Sequence, residues 1–84
     1  MKTTNSNSQP IKIYTLPDCS YCKQTKLYLD KNNYTYEEID LNTNKAGQSF
    51  MSERNYSKLP VTVIGETEIH GFRLDLIKET LNNI

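Results

Sequence analysis

The chain has 84 residues, and its ten basic side chains balance ten acidic ones, so the formal net charge at neutral pH is zero. This length suits one small domain, and the balanced charge gives no basic surface for nucleic acid. No apolar run approaches the roughly 20 residues of a membrane-spanning helix, and the N-terminus lacks the apolar core of a secretion signal. We therefore expect a cytoplasmic protein without a nucleic-acid or membrane partner, in which two cysteines are catalytic or metal-binding more often than structural.

The chain begins with a polar segment, followed by a strand and a helix. Residues 1–10 are rich in Thr, Asn, Ser and Gln, which predicts a disordered tail. The β-branched and aromatic side chains of Ile11–Leu16 predict a first strand, which ends before Pro17. A first helix is predicted over Cys19–Asn32, and Asn33 can take the left-handed conformation that ends a helix.

The middle of the chain continues this alternation. The apolar positions of the first helix recur at helical spacing, at Cys22, Thr25 and Leu29. A second strand is predicted over Tyr34–Leu41. A weaker second helix is predicted over Thr43–Arg54, where Ala46 and Phe50 form an apolar pair one turn apart and Asn55 provides a left-handed stop.

The last third predicts a hairpin and a helix. Two short strands, Val61–Ile64 and Glu68–His70, flank the connection Gly65–Thr67. Gly71 then leads into a last helix with a regular core stripe at Leu74, Ile77, Leu81 and Ile84. In the order βαβαββα, the first two strands should be parallel and the hairpin antiparallel. We expect an α/β fold with a four-stranded mixed sheet and three helices, in one domain over residues 11–84.

Cys19 and Cys22 are the only cysteines, and both lie at the start of the first predicted helix. Unpaired N–H groups and the positive end of the helix dipole favour a thiolate on Cys19, and Cys22 is near enough to close a disulfide. This arrangement is typical of a redox pair that exchanges disulfides with other molecules. A zinc site needs further ligands that only His70 and carboxylates offer, so we expect no metal and interpret His70 as a strand-end residue.

Three stretches carry a resemblance to a known family: Tyr14–Cys22 (YTLPDCSYC), Leu59–Val61 (LPV) and Gly71–Asp75 (GFRLD). Together with the element order, they resemble the thioredoxin superfamily at its minimal, glutaredoxin size. The Gly-Phe-Arg element is closer still to the NrdH-type redoxins, the small glutaredoxin-like hydrogen donors of ribonucleotide reductase. The resemblance covers the chain from Ile11 to Leu81, all but the tail.

The resemblance implies a monomeric thiol–disulfide oxidoreductase with no bound cofactor, whose redox group is a Cys19–Cys22 disulfide. Cys19 attacks a substrate disulfide, and the less exposed Cys22 resolves the mixed disulfide. Leu59–Pro60 corresponds to the cis-proline of the superfamily, where the backbone of Leu59 binds an extended substrate. Tyr21 lines the substrate groove or is simply an exposed aromatic side chain. Phe72–Arg73 forms part of a docking surface for a reductase, unless the ring packs on the sheet and the guanidinium is solvated.

The sequence also departs from its relatives. Leu16 stands where NrdH-type redoxins and glutathione-using glutaredoxins usually carry a basic residue, and Tyr21 is more typical of a glutaredoxin. Gly71 is followed by Phe72 and not by the second glycine and acidic pair that hold glutathione. We therefore favour a thioredoxin reductase over glutathione as the source of electrons, with ribonucleotide reductase as a substrate. The alternatives are a glutathione-dependent glutaredoxin, an iron–sulfur cluster carrier, and an adaptor with a structural disulfide.

Overall fold

The computed structural model describes residues 10–82, so of the tail predicted for residues 1–10 only Pro10 is included. The elements in chain order are β1 (Ile11–Thr15), α1 (Ser20–Lys31), β2 (Glu37–Asp40), α2 (Lys45–Glu53), β3 (Val61–Ile64), β4 (Thr67–His70) and α3 (Leu74–Asn82). This confirms the predicted order βαβαββα. None of the helices in this part of the chain is long and apolar enough to span a lipid bilayer.

The strands form one sheet in the order β2-β1-β3-β4, so β2 and β4 are its edges. β1 is parallel to β2 and antiparallel to β3, which forms a hairpin with β4. The predicted four-stranded mixed sheet is therefore confirmed. Tyr14 lies opposite Val61 in the two central strands, and continuing this register brings Leu16 opposite Leu59 at one end of the sheet. That end of the sheet carries the Leu59–Pro60 peptide and Leu16, whose carbonyl accepts the backbone N–H of Cys19.

Each face of the sheet has its own apolar cluster. On one face, α1 and α3 pack on the sheet through a cluster of buried residues from both helices and the strands: Ile11, Leu29, Ile64, Ile69, Ile77 and Leu81. On the other face, α2 packs on the sheet through a second buried cluster, which consists of Tyr14, Ile39, Met51 and Val61. The stripe predicted for α3 is confirmed at Ile77 and Leu81, which are buried, while Ile84 lies outside the described residues. Burial on both faces follows from the alternation of side chains along each strand.

The first two helices end as the two asparagines predict. Asn33 has φ 63° and Asn55 has φ 56°, both in the left-handed region. The next residue after each asparagine, Tyr34 or Tyr56, donates its N–H back to the last helical turn, to Leu29 and Met51 respectively (2.9 and 3.0 Å). This pattern of bonds closes the exposed carbonyls at a helix end. It also turns the chain sharply, so that Tyr34 packs against the cluster beneath α1 and α3, and Tyr56 packs against the cluster beneath α2.

The second strand is shorter than the sequence predicts. The prediction was Tyr34–Leu41, whereas β2 begins only at Glu37. Tyr34 and Tyr36 lie before the strand and pack, half-buried, against the cluster beneath α1 and α3. Their burial explains their apolar character without pairing in the sheet. β-Propensity reports such packing as much as backbone pairing, which is why the prediction extended too far.

The buried face of α2 also differs from the prediction. Gly47 and Met51 are buried, whereas Ala46 is exposed and Phe50 is only half-buried. A Cβ at Gly47 would lie 2.8 Å from Cγ2 of Ile39, closer than real Cβ atoms approach. Glycine therefore allows α2 to approach β2 closely, which offsets its cost of about 1 kcal/mol in a helix interior.

We predict that Gly47→Ala destabilises the protein by about 1–2 kcal/mol, because the overpacking cost of about 1–3 kcal/mol exceeds the gain in helix propensity. Ser49→Ala is the matched control, since Ser49 is exposed on the same helix and should be neutral or slightly stabilising. Urea unfolding of both variants measures the difference. A Gly47→Ala protein as stable as the Ser49→Ala protein would show that α2 is not held against β2 by this contact.

Candidate active site

Cys19 lies between β1 and α1 and caps the helix. Its backbone is extended, and its sulfur accepts the backbone N–H of Cys22 at 3.1 Å. Its own N–H donates to the carbonyl of Leu16 at 3.3 Å, which completes the turn through Pro17 and Asp18. A helix cap usually uses a side-chain oxygen for this bond, and here a sulfur takes its place. A hydrogen bond from a free N–H at the helix N-terminus stabilises negative charge on that sulfur.

Cys22 lies one turn further along α1 and faces inwards. Its side chain is 1% exposed, whereas Cys19 is partly exposed, so the predicted difference between the two thiols is confirmed. Burial raises the pKa of the Cys22 thiol to about 12, and the neighbouring Cys19 sulfur adds to this effect. Cys22 is therefore a protonated thiol at neutral pH. The helix start thus presents one accessible sulfur and one buried, protonated sulfur.

A polar brace connects α1 to the sheet behind the cysteines. Lys26 of α1 donates to Oε2 of Glu38 at 2.8 Å, and the hydroxyl of Thr15 donates to the same oxygen at 2.9 Å. The hydrogen bond from Lys26 holds the pKa of Glu38 below its usual value. The positive charge of Lys26 in turn lowers the pKa of Cys22, against the larger effect of burial. Sequence reasoning gave Thr15 and Glu38 no role, because these contacts join residues far apart in the chain.

The Leu59–Pro60 peptide bond is cis, as the resemblance implied. Pro60 is buried and directly precedes β3, while Leu59 is half-buried and has neighbours in the cluster beneath α2. The carbonyl of Pro60 accepts the backbone N–H of Gly71 at 2.9 Å. The segment is therefore attached to the end of β4 and lies beside the residue that begins the cysteine turn, Leu16.

Tyr21 and Phe72 form a stacked pair, with ring centroids 4.8 Å apart and an angle of 18° between the rings. Tyr21 is 53% exposed on the first turn of α1, and Phe72 is half-buried in the loop before α3. Arg73 is exposed, and its guanidinium binds the carboxylate of Asp75 at 3.2 Å. The structure thus brings Tyr21 and Phe72 together next to the cysteine turn, while the Arg73 side chain is engaged with its neighbour on the surface.

Comparison with known proteins identifies the family. The sequence matches the glutaredoxin family model over residues 11–69. The chain belongs to the glutaredoxin family. It is 30% identical to the glutaredoxin-like protein NrdH of Escherichia coli over 67 residues, which cover 80% of this chain and 83% of that protein. It is also 36% identical to glutaredoxin 1 of Rickettsia prowazekii over 64 residues, covering 73% of this chain and 67% of that protein.

A solved structure gives the same result. The NrdH-redoxin of Escherichia coli superimposes with a TM-score of 0.78 at 28% identity, covering 83% of this chain and 92% of that chain. The predicted thioredoxin-like fold and the closeness to NrdH-type redoxins are confirmed. The chain is therefore a glutaredoxin-like redox protein.

An open cleft of about 370 Å³ lies beside the cysteine turn of this glutaredoxin. Its apolar walls are formed by Leu16, Leu41, Met51 and Leu59, and the other residues that line it are uncharged at neutral pH. The sequence predicts Leu16 and Leu59 near the cysteines, but it gives no signal for the contribution of Met51 from α2. The cleft suits an apolar side chain better than a carboxylate, because a buried carboxylate needs a charged or hydrogen-bonding partner.

The metal-binding alternative receives no geometric support from residues 10–82. Within that range, no group of three or more His, Cys, Asp and Glu side chains is arranged to hold a metal ion. His70, which the sequence offers together with carboxylates to complete a zinc site, accepts the backbone N–H groups of Ser57 and Lys58 through Nε2.

We predict that one equivalent of iodoacetamide at neutral pH alkylates Cys19 and leaves Cys22 free, because only thiolates react and the pKa of Cys22 is about 12. Peptide mapping of the reduced protein measures the ratio of the two products. Because the pKa of Cys22 is raised, the labelling of Cys22 should increase steeply as the pH rises above neutral. Equal labelling of both cysteines at neutral pH would contradict the assignment, and the Cys19→Ser protein provides the intrinsic rate of Cys22.

Proposed function

We propose that this protein is a thiol–disulfide oxidoreductase that reduces protein disulfides, with Cys19 as the attacking thiol and Cys22 as the resolving thiol. One observation carries the proposal: the accessible sulfur of Cys19 accepts the N–H of Cys22 at a helix start, while the Cys22 thiol lies buried behind it. This asymmetry suits two successive exchange steps at one exposed sulfur. We also place the protein in the cytoplasm, where a dithiol is kept reduced.

In the first step, the thiolate of Cys19 attacks one sulfur of a substrate disulfide. A mixed disulfide forms, the substrate disulfide breaks, and the departing substrate thiolate takes up a proton. In the second step, the Cys22 thiol loses its proton and attacks the sulfur of Cys19. The Cys19–Cys22 disulfide then forms, and the second substrate thiolate leaves and takes up the proton that Cys22 released. Two electrons thus pass from the protein to the substrate, with one proton from Cys22 and one from solvent.

The timing of these steps follows from the environment of Cys22. Two of the causes that raise its pKa come from the Cys19 sulfur, through a hydrogen bond and through its charge. Once Cys19 is bound in a mixed disulfide, its negative charge is gone, and Cys22 becomes easier to ionise. The buried thiol therefore stays inactive until the intermediate that needs it has formed.

We infer that the substrate chain binds along the backbone of Leu59, as in the superfamily that the chain resembles, and that ribonucleotide reductase is a physiological substrate. The 30% identity to the Escherichia coli NrdH protein supports this choice. The solved NrdH-redoxin is described as having a thioredoxin-like activity profile, which supports a thioredoxin reductase as the source of electrons. The uncharged cleft around Leu16 agrees, since glutathione carries carboxylates that need cationic or N–H partners.

A glutathione-dependent glutaredoxin is the second candidate. It is favoured by Tyr21 next to Cys22 and by the 36% identity to glutaredoxin 1 of Rickettsia prowazekii. The two candidates share the same chemistry at the cysteines and differ only in the reductant.

We predict that Cys22→Ser accumulates a stable mixed disulfide when it reacts with a small disulfide, because no thiol remains to resolve it. Cys19→Ser should form no adduct at neutral pH, since its remaining thiol is buried and protonated. Intact-protein mass spectrometry of both variants measures the adducts. An adduct on Cys19→Ser but not on Cys22→Ser would reverse the two roles.

We predict that the oxidised protein is reduced faster by NADPH with thioredoxin reductase than by NADPH with glutathione and glutathione reductase. The consumption of NADPH measures both rates. Losing one charge-assisted hydrogen bond of about 1.5–3 kcal/mol weakens glutathione binding by about ten-fold or more, which sets the expected difference. Faster reduction through glutathione would assign the protein to the second candidate.

The same assay tests the aromatic pair. Phe72→Ala should raise the KM for thioredoxin reductase, because aromatic side chains near an exposed site often anchor a protein partner. Leu27→Ala is the matched control, since Leu27 is 59% exposed on α1 but lies on a different face from Tyr21. Equal KM values for both variants would remove the aromatic pair from the docking surface.

A further inference from the structure

His70 ends β4, and its side chain extends to the segment that precedes Pro60. The ring nitrogen Nε2 accepts the backbone N–H of Ser57 at 3.2 Å and that of Lys58 at 3.0 Å. A ring nitrogen that accepts hydrogen bonds carries no proton, so these contacts assign His70 the neutral form with its proton on Nδ1.

The imidazole of His70 is held in place by Tyr56. The two rings stack, with centroids 4.3 Å apart and an angle of 23° between them. The hydroxyl of Tyr56 donates to Oε1 of Glu68 at 2.9 Å, and Nε of Arg54 donates to the same oxygen at 2.8 Å. The ring therefore has a fixed support, and its Nε2 is directed at the two N–H groups.

The segment held by His70 leads directly into Leu59 and Pro60; we call residues 57–60 the proline segment. Its first two N–H groups are bound by the side chain of His70, and the carbonyl of Pro60 is bound by the N–H of Gly71. Two adjacent residues at the end of β4 thus hold the chain on both sides of Leu59. No part of the disulfide chemistry requires a histidine, so its two contacts call for an explanation in terms of position.

We propose that neutral His70 is a positioning residue, which holds the proline segment in the form that binds an extended substrate and releases that segment when it is protonated. The proposal rests on the proposed function, in which substrate binds the backbone at Leu59. Protonation places a proton on Nε2, so the nitrogen becomes a donor that faces two N–H donors. Both hydrogen bonds are then lost, and substrate affinity falls as the pH falls.

The groups that support the ring do not change charge in the same range. The hydrogen bond from Arg54, and after it the one from Tyr56, holds the pKa of Glu68 below its usual value, so Glu68 remains a carboxylate. The hydrogen bond to Glu68 raises the pKa of the Tyr56 phenol, which therefore remains neutral. Glu68 and Arg54 neutralise each other as an ion pair behind Tyr56.

Two further residues near His70 are a lysine and an apolar strand residue. Lys58 lies close to Gly71, because a Cβ added to Gly71 would be 3.8 Å from the Cβ of Lys58. Lys58 therefore contributes a positive charge on this side of His70. Val61, opposite His70 in β3, carries no charge. The ring is exposed, so solvent protons reach it directly. Protonation turns Nε2 from an acceptor into a donor, so His70 is the group whose protonation breaks the two hydrogen bonds to the proline segment.

The first test needs no substrate. In the reduced, isotope-labelled protein, NMR follows the amide protons of Ser57 and Lys58 together with the ring protons of His70 between about pH 5 and 8. We expect both amides to shift in step with the ring. In His70→Gln, whose side-chain oxygen can accept at the same place but does not titrate, both amides should stay constant. Amides that ignore the protonation of His70, or that titrate equally in the glutamine variant, would overturn the proposal.

The second test measures substrate binding. The pre-reduced protein reacts in a single turnover with an excess of a peptide disulfide, and the concentration dependence gives an apparent dissociation constant and a limiting rate. For the wild type, we expect the dissociation constant to rise by about ten-fold from pH 8 to pH 5.5, as the loss of one to two hydrogen bonds implies. It should stay low in His70→Gln and high at every pH in His70→Ala. The limiting rate, which depends on Cys19, should change with pH alike in all three.

A short disulfide separates the positioning role from the chemistry. Bis-hydroxyethyl disulfide has no peptide chain to bind at Leu59, so its reduction should follow the same pH profile in the wild type and in His70→Gln. The same pH dependence of peptide binding in both proteins would overturn the positioning role. If neither disulfide is reduced, the proposed function fails, whereas the NMR titration decides separately whether His70 holds the segment.

Discussion

The hydrogen bond from the backbone N–H of Cys22 to the sulfur of Cys19 is the interaction on which the site depends. It exists only because α1 begins immediately after Cys19 and because the turn from β1 returns the N–H of that residue to Leu16. The helix, in turn, is anchored by its buried face at Thr25 and Leu29. The packing of α1 in the core thus fixes the position of the partly exposed Cys19 sulfur. The N–H groups at a helix start need hydrogen-bond acceptors, and the one that binds this sulfur stabilises negative charge on it.

The topology explains why three separate stretches of sequence meet. β1 and β3 are adjacent and antiparallel, so the end of one and the beginning of the other lie at the same end of the sheet. The hairpin then returns the chain to that end at His70 and Gly71. The loop into α3 consequently places Phe72 against Tyr21 on the first turn of α1, and neither ring lines the apolar cleft. The cysteine turn, the aromatic pair and the Leu59–Pro60 peptide therefore all derive from segments that end or begin at this end of the sheet.

The sequence was sufficient to predict the order of the elements, the mixed sheet, the relative burial of the two cysteines and both left-handed asparagines. These features depend on local periodicity and on backbone preferences, which a single sequence expresses directly. The errors have another origin. Tyr36 resembles a strand residue because it is apolar and aromatic, and only the packing of α1 and α3 shows that it lies before β2. From the sequence, Gly47 only lowers the predicted stability of α2. The short distance between a Cβ at this position and Cγ2 of Ile39 shows why a glycine is needed there. The contacts of His70 join residues 12 and 13 positions apart, and no local pattern encodes them.

The edge strand β2 has a consequence for the behaviour of the protein at high concentration. It has four residues, and its first two, Glu37 and Glu38, are both acidic and exposed. An open edge offers unpaired backbone groups to a second copy of the chain, and like charges brought together oppose such strand addition. Leu16 and Tyr21 are exposed apolar side chains near the cysteines, and such side chains favour association between copies. Charge repulsion at the β2 edge opposes that association. The short acidic strand therefore makes the β2 edge a poor template for pairing with a second chain.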